Sequence, residues 1–448
     1  MQSELSARLD EAVPRYTSYP TTPHFSSAVT SDVVERWVTG IPRAEPVSLY
    51  IHIPFCDRLC WFCACHTKQT RRYEPVAYYL TVLHQEIRLV SELLNGQKVR
   101  AVHLGGGSPT ILTADDIIRL GETLRSRLPL ARDAAISVEI DPNDMDVARL
   151  DAFCAIGMTR ASLGIQDFDS QVQRAINRPQ SFEITRAVVQ DLRASGVPSI
   201  NFDLLYGLPH QTVASIKATV DMALSLAPDR IALFGYAHVP WFKKHQTMID
   251  GASLPKASQR LEQSLVARQG ILAAGYESVG HDHFALPNDP LAVAARTGHL
   301  RRNFQGYTDE SCATVIGMGP SSISSFRNGY AQNHTAMSEY ARCITEGRLA
   351  TARGVVLTEE DRLRSWVIER LMCEFSFSCG DAVNKFGEIA QAVLAQAEQL
   401  ERADCEHLFV RSGDRYVVSE KGKPFVRTIA ARFDQYLEQG QRRHSKAV

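Results

Sequence analysis

Between residues 47 and 234 the chain sets short apolar runs against longer amphipathic stretches, and this alternation constrains the fold more than any other feature. The spacing predicts strands over Ser48–Ile53, Ala101–Leu104, Ile136–Ile140, Arg160–Ile165, Ser199–Leu204 and Arg230–Phe234. Between them it predicts helices over Ala77–Leu94, Ala114–Leu128, Asp146–Ile156, Phe182–Ser195 and Thr212–Leu226. Each run reads as a strand buried on both faces and each stretch as a crossover helix, which gives a parallel sheet with right-handed connections. Periodicity alone does not separate an open sheet from a closed barrel. The polar residues help, because nearly every strand ends in one: Tyr50 and His52, the glycines 105–107, Glu139, Gln166 and Asp167, Asp203, and Tyr236 with His238. Six loaded strand ends suit one site at the C-terminal mouth of a barrel better than a crevice between two strands.

The flanks read differently. Residues 1–45 are rich in Pro, Ser and Thr and predict a short helix and an extended arm. Beyond about 350, Glu359–Cys373, Gly380–Ala403 and Gly422–Leu437 predict helices, with a small hairpin over Leu408–Val418 turning at Ser412-Gly413-Asp414. Three units follow: an arm or lid at 1–45, a catalytic domain at 46–350, and a mostly helical, winged-helix-like domain at 351–448. The chain carries 49 Lys and Arg against 50 Asp and Glu, so it offers nucleic acid no electrostatic footprint, and its last helices are not obviously basic. The start lacks the basic and apolar regions of a secretory signal, and no run reaches the roughly 18–20 apolar residues of a membrane span. A cytoplasmic protein is expected, in a compartment that keeps thiols reduced.

That compartment matters because four of the ten cysteines, Cys56, Cys60, Cys63 and Cys65, fall within ten residues, directly after the first strand. At such density reduced thiols mean metal rather than disulfide. The other six are expected to be small buried residues. A zinc site joins two knuckles through a longer loop and uses all four ligands. An electron-transfer iron–sulfur cube also takes four thiolates. The CxxxCxxC spacing instead offers three, leaving one iron of a cube open to a chelating substrate. Cys65 is expected to be no ligand, since Cys63 and Cys65 cannot both reach irons without straining the loop, and to act near the substrate. Trp61 and Phe62 either pack beneath the loop or wall the cluster, Phe62 then touching a nucleoside.

Further motifs join the cysteines: PRYTSYPT at 14–21, YIHIPFC at 50–56, GGGSPT at 105–110, EIDP at 139–142, GIQDF at 164–168, NFDLLYGLP at 201–209, YAH at 236–238, DHF at 282–284, NFQGYT at 303–308 and GMGPSSIS at 317–324. Together they resemble the oxygen-independent coproporphyrinogen III oxidases, a family of radical S-adenosylmethionine enzymes of haem biosynthesis. Two positions depart from the usual pattern: Ser108 stands where Thr is common and Ala64 where Gly is. The resemblance implies an α/β fold, a TIM-like partial (β/α)6 barrel with the arm and C-terminal domain already described. It implies a [4Fe–4S] cluster on Cys56, Cys60 and Cys63 and two molecules of S-adenosylmethionine. Tyr50, Gly106, Glu139 and Ile323 are then expected at the first molecule. Phe62, Gly107, Ser108, Gln166, Arg178, Asp203 and Ala237 are expected at the second.

The activity implied is oxidative decarboxylation of two propionates of coproporphyrinogen III to vinyl groups, giving protoporphyrinogen IX, by a 5′-deoxyadenosyl radical. Partners implied are that substrate and an external flavodoxin- or ferredoxin-type reductant, with the protein a monomer. Arg15 and Arg302 are the candidate propionate holders, and the segment Arg15–Tyr19 is the candidate lid. Three other readings stay open at this point. They are a related radical enzyme that methylates, cyclopropanates or opens haem, a cluster- or haem-handling protein without catalysis, and a zinc-bound DNA regulator.

Overall fold

The computed structural model describes residues 11–437, so the outer ends of the expected arm and C-terminal unit lie outside the described residues. A first helix, α1 (Ser31–Thr39), is followed by β1 (Val47–Ile53), α2 (Glu74–Leu93), β2 (Val99–Gly106), α3 (Ala114–Arg127), β3 (Leu130–Ile140) and α4 (Val147–Ala155). The series continues through β4 (Arg160–Gln166), α5 (Phe182–Ala194), β5 (Ser199–Tyr206), α6 (Val213–Ser225), β6 (Arg230–Gly235) and α7 (Ala257–Ala273). Every predicted strand and helix of this region is present. The starts of α3 to α6 are fixed by one device: Thr113, Asp146, Ser181 and Thr212 each accept a hydrogen bond from the backbone N–H three residues on, which satisfies a donor the helix itself leaves open.

The sheet has more strands than the sequence predicts. Beyond β6 lie β7 (Glu277–Val279) and β8 (His283–Ala285), both antiparallel. On the other side β9 (Thr314–Met318) lies parallel to β1, with Val47 opposite Thr314 and Ile51 opposite Met318. The antiparallel strands β10 (Ile323–Phe326), β11 (Gly329–Asn333) and β12 (Thr351–Val356) follow, with the helix α8 (Met337–Thr345) before β12. The parallel run therefore counts seven strands, in the order β9-β1-β2-β3-β4-β5-β6 within a twelve-stranded sheet.

The strands are buried on both faces, as the sequence reading expects, but only one face is apolar. Val47, Leu49, Ile51 and Ile53 are fully buried on one face of β1, as are Ile200, Phe202 and Leu204 on β5. Side chains alternate along a strand, so Ser48, Tyr50 and His52, then His103, Glu139, Ser162, Asn201 and Asp203, share the opposite face. Contacts across the strands confirm it: His103 Nε2 lies 3.1 Å from Glu139 Oε1, and Asn201 Nδ2 donates to Ser162 Oγ at 2.8 Å. An apolar outer layer under helices and a polar inner layer make a partial barrel.

One buried acid ties this barrel together. Glu86 on α2 accepts from the Gly319 N–H at 2.7 Å, Tyr340 Oη at 2.6 Å and Asn333 Nδ2 at 2.9 Å. Burial outweighs those bonds and pushes its carboxyl up to about 7. Glu86→Ala strands two buried donors, the Gly319 N–H and the Tyr340 hydroxyl, and chemical denaturation is expected to show a loss of about 2–4 kcal/mol. Because the folded state keeps this proton to higher pH than the unfolded chain, the wild type binds more protons when folded. Its stability relative to Glu86→Gln should fall as pH rises from about 4.5 to about 7. A flat difference across that window would disprove the assignment.

A second core holds α9 (Glu359–Glu374), β13 (Ser376–Ser378), α10 (Cys379–Phe386), α11 (Ala390–Ala403), β14 (Phe409–Ser412), β15 (Arg415–Val418) and α12 (Val426–Ala431). The expected hairpin is present as β14 and β15, and β13 joins it to make a three-stranded sheet in the order β13-β15-β14. Two sequence expectations are corrected here. The helix expected over 380–403 breaks at Gly387, whose φ is +64°. Of the helix expected at the C-terminus only α12 forms, after a 3-10 turn at Lys423–Phe425. The arm packs into the same core through Val13, Tyr16 and Tyr19, and the Arg427 guanidinium donates to the carbonyls of Val13 and Pro14 at 2.7 and 3.2 Å. Among the described residues no helix is long and apolar enough to cross a membrane. Cys343 and Cys373 are buried as expected, Cys154, Cys312 and Cys379 are half-buried, and Cys405 is exposed.

Candidate active site

The cysteine loop leaves the end of β1 and is closed by Phe55–Cys56 pairing with Lys68–Gln69. Its backbone is held from outside. The Trp61 N–H donates to Ile176 O at 2.9 Å, Asn177 Nδ2 donates to Leu59 O at 2.9 Å, and the Cys63 N–H turns back to Cys60 O at 3.2 Å. The three motif thiols have separate surroundings. Cys56 Sγ lies 3.1 Å from Thr67 Oγ1, Cys60 Sγ accepts from Arg178 Nη1 at 3.5 Å, and Cys63 Sγ accepts the Cys65 N–H at 3.4 Å. Burial pushes the Cys56 thiol up to about 12 and raises Cys60 as well, while hydrogen bonds from Cys65 pull Cys63 down.

Beside the loop lies a cavity of about 400 Å³ lined by Tyr50, His52, Cys65, Gly106, Glu139 and Ile323, among others. All four residues expected at the first S-adenosylmethionine therefore face one space, together with Cys65. Burial opposes ionisation of Glu139, but His103 and the Gly106 N–H, 3.0 Å from Oε2, outweigh it and hold the carboxyl below its usual range. Gly106 has a φ of +111°, a conformation costly to any residue with a Cβ. Burial lowers His52 to about 4, so its ring is neutral. A carbonyl can only accept, so His52 Nε2–H donates to His66 O at 2.8 Å, and Nδ1 is left to accept from Tyr50 Oη at 3.0 Å. The Tyr50 ring also stacks on His103, with centroids 5.7 Å apart.

The residues expected at the second molecule are more scattered. The N–H groups of Gly107 and Ser108 are spent on Ile53 O at 2.7 Å and Phe55 O at 2.8 Å. A Cβ on Gly107 would sit 2.8 Å from Ile53 O, so the close approach this glycine permits is to the root of the cysteine loop. Arg178 is paired with Asp141 at 2.9 Å and donates to Gly164 O at 2.7 Å, although its buried Nε makes no hydrogen bond among the described residues. Gln166 ends β4 in the left-handed region, with φ +66°. Asp203 accepts from Ser162 and Asn201 inside β5, three residues before that strand ends, and burial with the nearby Glu139 raises its carboxyl. Phe62 packs with Trp61 against Val172, Ile176 and Leu205, and its carbonyl and that of Ala237 both accept from Gln246 Nε2, at 2.8 and 3.3 Å.

Sequence reasoning missed several contributors. Phe304, Gln305 and Ser322 line the cavity, although their segments were visible as motifs. Lys243 and His245, which carry no motif, donate to the carbonyls of Cys65 and Cys63 at 2.9 and 2.7 Å.

These residues fit an iron–sulfur cube with one open corner. Cys56, Cys60 and Cys63 supply three soft thiolates from one short loop, the donor set of an iron–sulfur centre. The adjoining cavity, with its ionised Glu139, suits a cationic, amino-acid-bearing nucleoside.

Comparison with known proteins agrees. The radical SAM superfamily pattern matches residues 50–223. The chain is 46% identical to the oxygen-independent coproporphyrinogen III oxidase of Bradyrhizobium diazoefficiens, over 98% of each chain. It is also 46% identical to that of Cereibacter sphaeroides, over 98% of this chain and 97% of the other. The structure of coproporphyrinogen III oxidase (HemN) from Escherichia coli, a radical SAM enzyme, superposes with a TM-score of 0.90 at 37% identity, covering 95% of this chain and 100% of that one. With this likeness running through barrel, arm and C-terminal core alike, the protein belongs to the oxygen-independent coproporphyrinogen III oxidase family of radical SAM enzymes.

Proposed function

We propose that the protein converts coproporphyrinogen III to protoporphyrinogen IX without oxygen, using a [4Fe–4S] cluster on Cys56, Cys60 and Cys63 and S-adenosylmethionine. The observation that carries this reading is the single cavity shared by Tyr50, Gly106, Glu139, Ile323 and Cys65 beside the three-thiol loop. When bound, these cofactors supply one-electron cleavage of the sulfonium and removal of a hydrogen from the β-carbon of a substrate propionate, which then loses carbon dioxide and a further electron.

The chain's own residues bind, orient and exclude water. Glu139, held ionised by His103 and Gly106, receives the ammonium or ribose hydroxyls of the first S-adenosylmethionine. The Tyr50–His52–His66 chain fixes the wall beside it. A second molecule is received by Phe62, Gly107, Ser108, Gln166, Arg178, Asp203 and Ala237, Arg178 offering its unused Nε. Arg302 is buried with its guanidinium 4.4 Å from the Tyr307 ring centre and 3.8 Å from Asp282, and its Nε and Nη1 make no hydrogen bond among the described residues. Arg302 Nη2 donates to Arg15 O at 3.3 Å, and Arg15 in turn donates to Gly235 O at 2.7 Å, at the end of β6. These two guanidiniums are suited to substrate propionates. Residues 46–350 form the catalytic body, the arm at 1–45 serves as its lid, and the mostly helical unit is 351–448, whose described residues hold the arm through Val13, Tyr16 and Tyr19. Cys65 works at the substrate side of the cavity. The protein acts in the cytoplasm as a monomer and takes its electrons from an external flavodoxin- or ferredoxin-type carrier.

The test is an anaerobic assay of reconstituted protein with coproporphyrinogen III, following protoporphyrinogen and 5′-deoxyadenosine together. Adding S-adenosylmethionine should also perturb the electron paramagnetic resonance of the reduced cluster, and an unperturbed signal would refute the open-corner reading. Glu139→Gln keeps the shape of the cavity but removes its charge. Equilibrium dialysis of S-adenosylmethionine against this variant should show affinity about tenfold to a hundredfold weaker. Wild-type affinity would remove Glu139 from the binding site.

A further inference from the structure

Large apolar side chains on this surface are mostly scattered, which needs no explanation. One group is not. Trp241, Phe242 and Met248 are 50%, 72% and 58% exposed, and all three lie within eight residues. The same short segment clamps the cysteine loop. Lys243 Nζ, His245 Nε2 and Gln246 Nε2 donate to the carbonyls of Cys65, Cys63 and Phe62 at 2.9, 2.7 and 2.8 Å. Phe242, the most exposed large hydrophobic side chain among the described residues, is therefore one residue from a hydrogen bond to the cluster loop.

Charge sharpens the point. The protein as a whole is balanced, yet residues 56–74 and 239–250 contain Arg58, Lys68, Arg71, Arg72, Lys243 and Lys244 against Asp57, Glu74 and Asp250. Lys68, Arg71, Arg72 and Lys244 are exposed. Exposed apolar side chains on basic segments favour an acidic protein and speed its encounter. The site beneath requires electrons from outside, one at a time.

We propose that Trp241, Phe242 and Met248, with the exposed Lys244 among them, form the docking surface for an acidic, low-potential one-electron carrier protein that reduces the cluster. This rests on the cluster assignment made above and adds where its reductant binds. In the step itself one electron leaves the carrier, a flavin hydroquinone becoming its semiquinone, and enters the cluster, which passes from the 2+ to the 1+ state. No bond is made or broken.

The experiment uses reconstituted full-length protein, flavodoxin hydroquinone as the protein reductant and dithionite as the small one. Stopped-flow bleaching of the cluster gives the reduction rate, and calorimetric titration with oxidised flavodoxin gives the affinity. Phe242→Ser and Lys244→Glu, neither of which removes a hydrogen bond to the loop, should each slow reduction by flavodoxin about tenfold and weaken its binding similarly. Raising the salt from 50 to 400 mM should slow the wild type by about tenfold and the Lys244→Glu variant by much less. Dithionite should reduce all three proteins at one rate. Wild-type rates and affinity with flavodoxin in both variants would overturn the proposal, as would an equal slowing with dithionite, which would mean that the loop itself had been disturbed. A cluster that dithionite cannot reduce in the wild type would instead overturn the cluster assignment.

Discussion

Cys60→Ser will yield a folded, colourless protein that makes neither 5′-deoxyadenosine nor protoporphyrinogen. The loop around Cys60 is positioned by backbone contacts that do not involve sulfur: Trp61 N–H to Ile176 O, Asn177 to Leu59 O, and Cys63 N–H to Cys60 O. A serine hydroxyl can stand in the same buried place and still accept from Arg178, so the fold should survive with its melting temperature little changed. It cannot replace a thiolate on iron, which is a soft ligand suited to iron–sulfur clusters. Iron after reconstitution should fall from about four atoms per chain to below about one, and S-adenosylmethionine cleavage by at least about a thousandfold. A brown variant that still cleaves S-adenosylmethionine would remove Cys60 from the ligand set.

The next largest effect is expected at Cys65, with the two products parting company. Its backbone N–H supports Cys63 Sγ, a contact that Cys65→Ser retains. Its side chain is exposed and faces the cavity that Tyr50 and Glu139 line. Iron content should therefore stay near wild type and 5′-deoxyadenosine should still form, while protoporphyrinogen falls by about a hundredfold. If the substitution instead strips the iron, Cys65 is a fourth ligand and the open corner does not exist.

Much of this was legible in the chain because local patterns carry it. Six strands and five helices from β1 to β6 follow from short-range periodicity and from N-cap residues three positions ahead of the N–H groups they bind. Cys56, Cys60 and Cys63 announce themselves by spacing alone. The strand β9 did not. It has five residues, two of them Gly317 and Met318 leading into a turn, and its partner β1 lies more than 260 residues away, so no local signal marks it. The strands are buried on both faces as expected, but one of those faces is polar, an alternation already present in Ser48-Leu49-Tyr50-Ile51-His52. Inside the barrel polar side chains bury one another, Ser48, His52 and Asn201 among them, which sequence polarity does not convey.

The sequence by itself determined the metal-binding loop, the order of strands and helices from β1 to β6 and, through its motifs, the family, since each depends on residues near one another in the chain. Tertiary structure alone decided what meets across the barrel. It set His103 and Gly106 against Glu139, so that the acid stays charged where burial would neutralise it. It spent the N–H groups of Gly107 and Ser108 on the root of the cysteine loop, and it brought Lys243, His245 and Gln246 onto that loop's carbonyls. Hydrogen bonds and charge act over a few ångströms of space, and only the closed fold puts residues separated by tens or hundreds of positions within that reach.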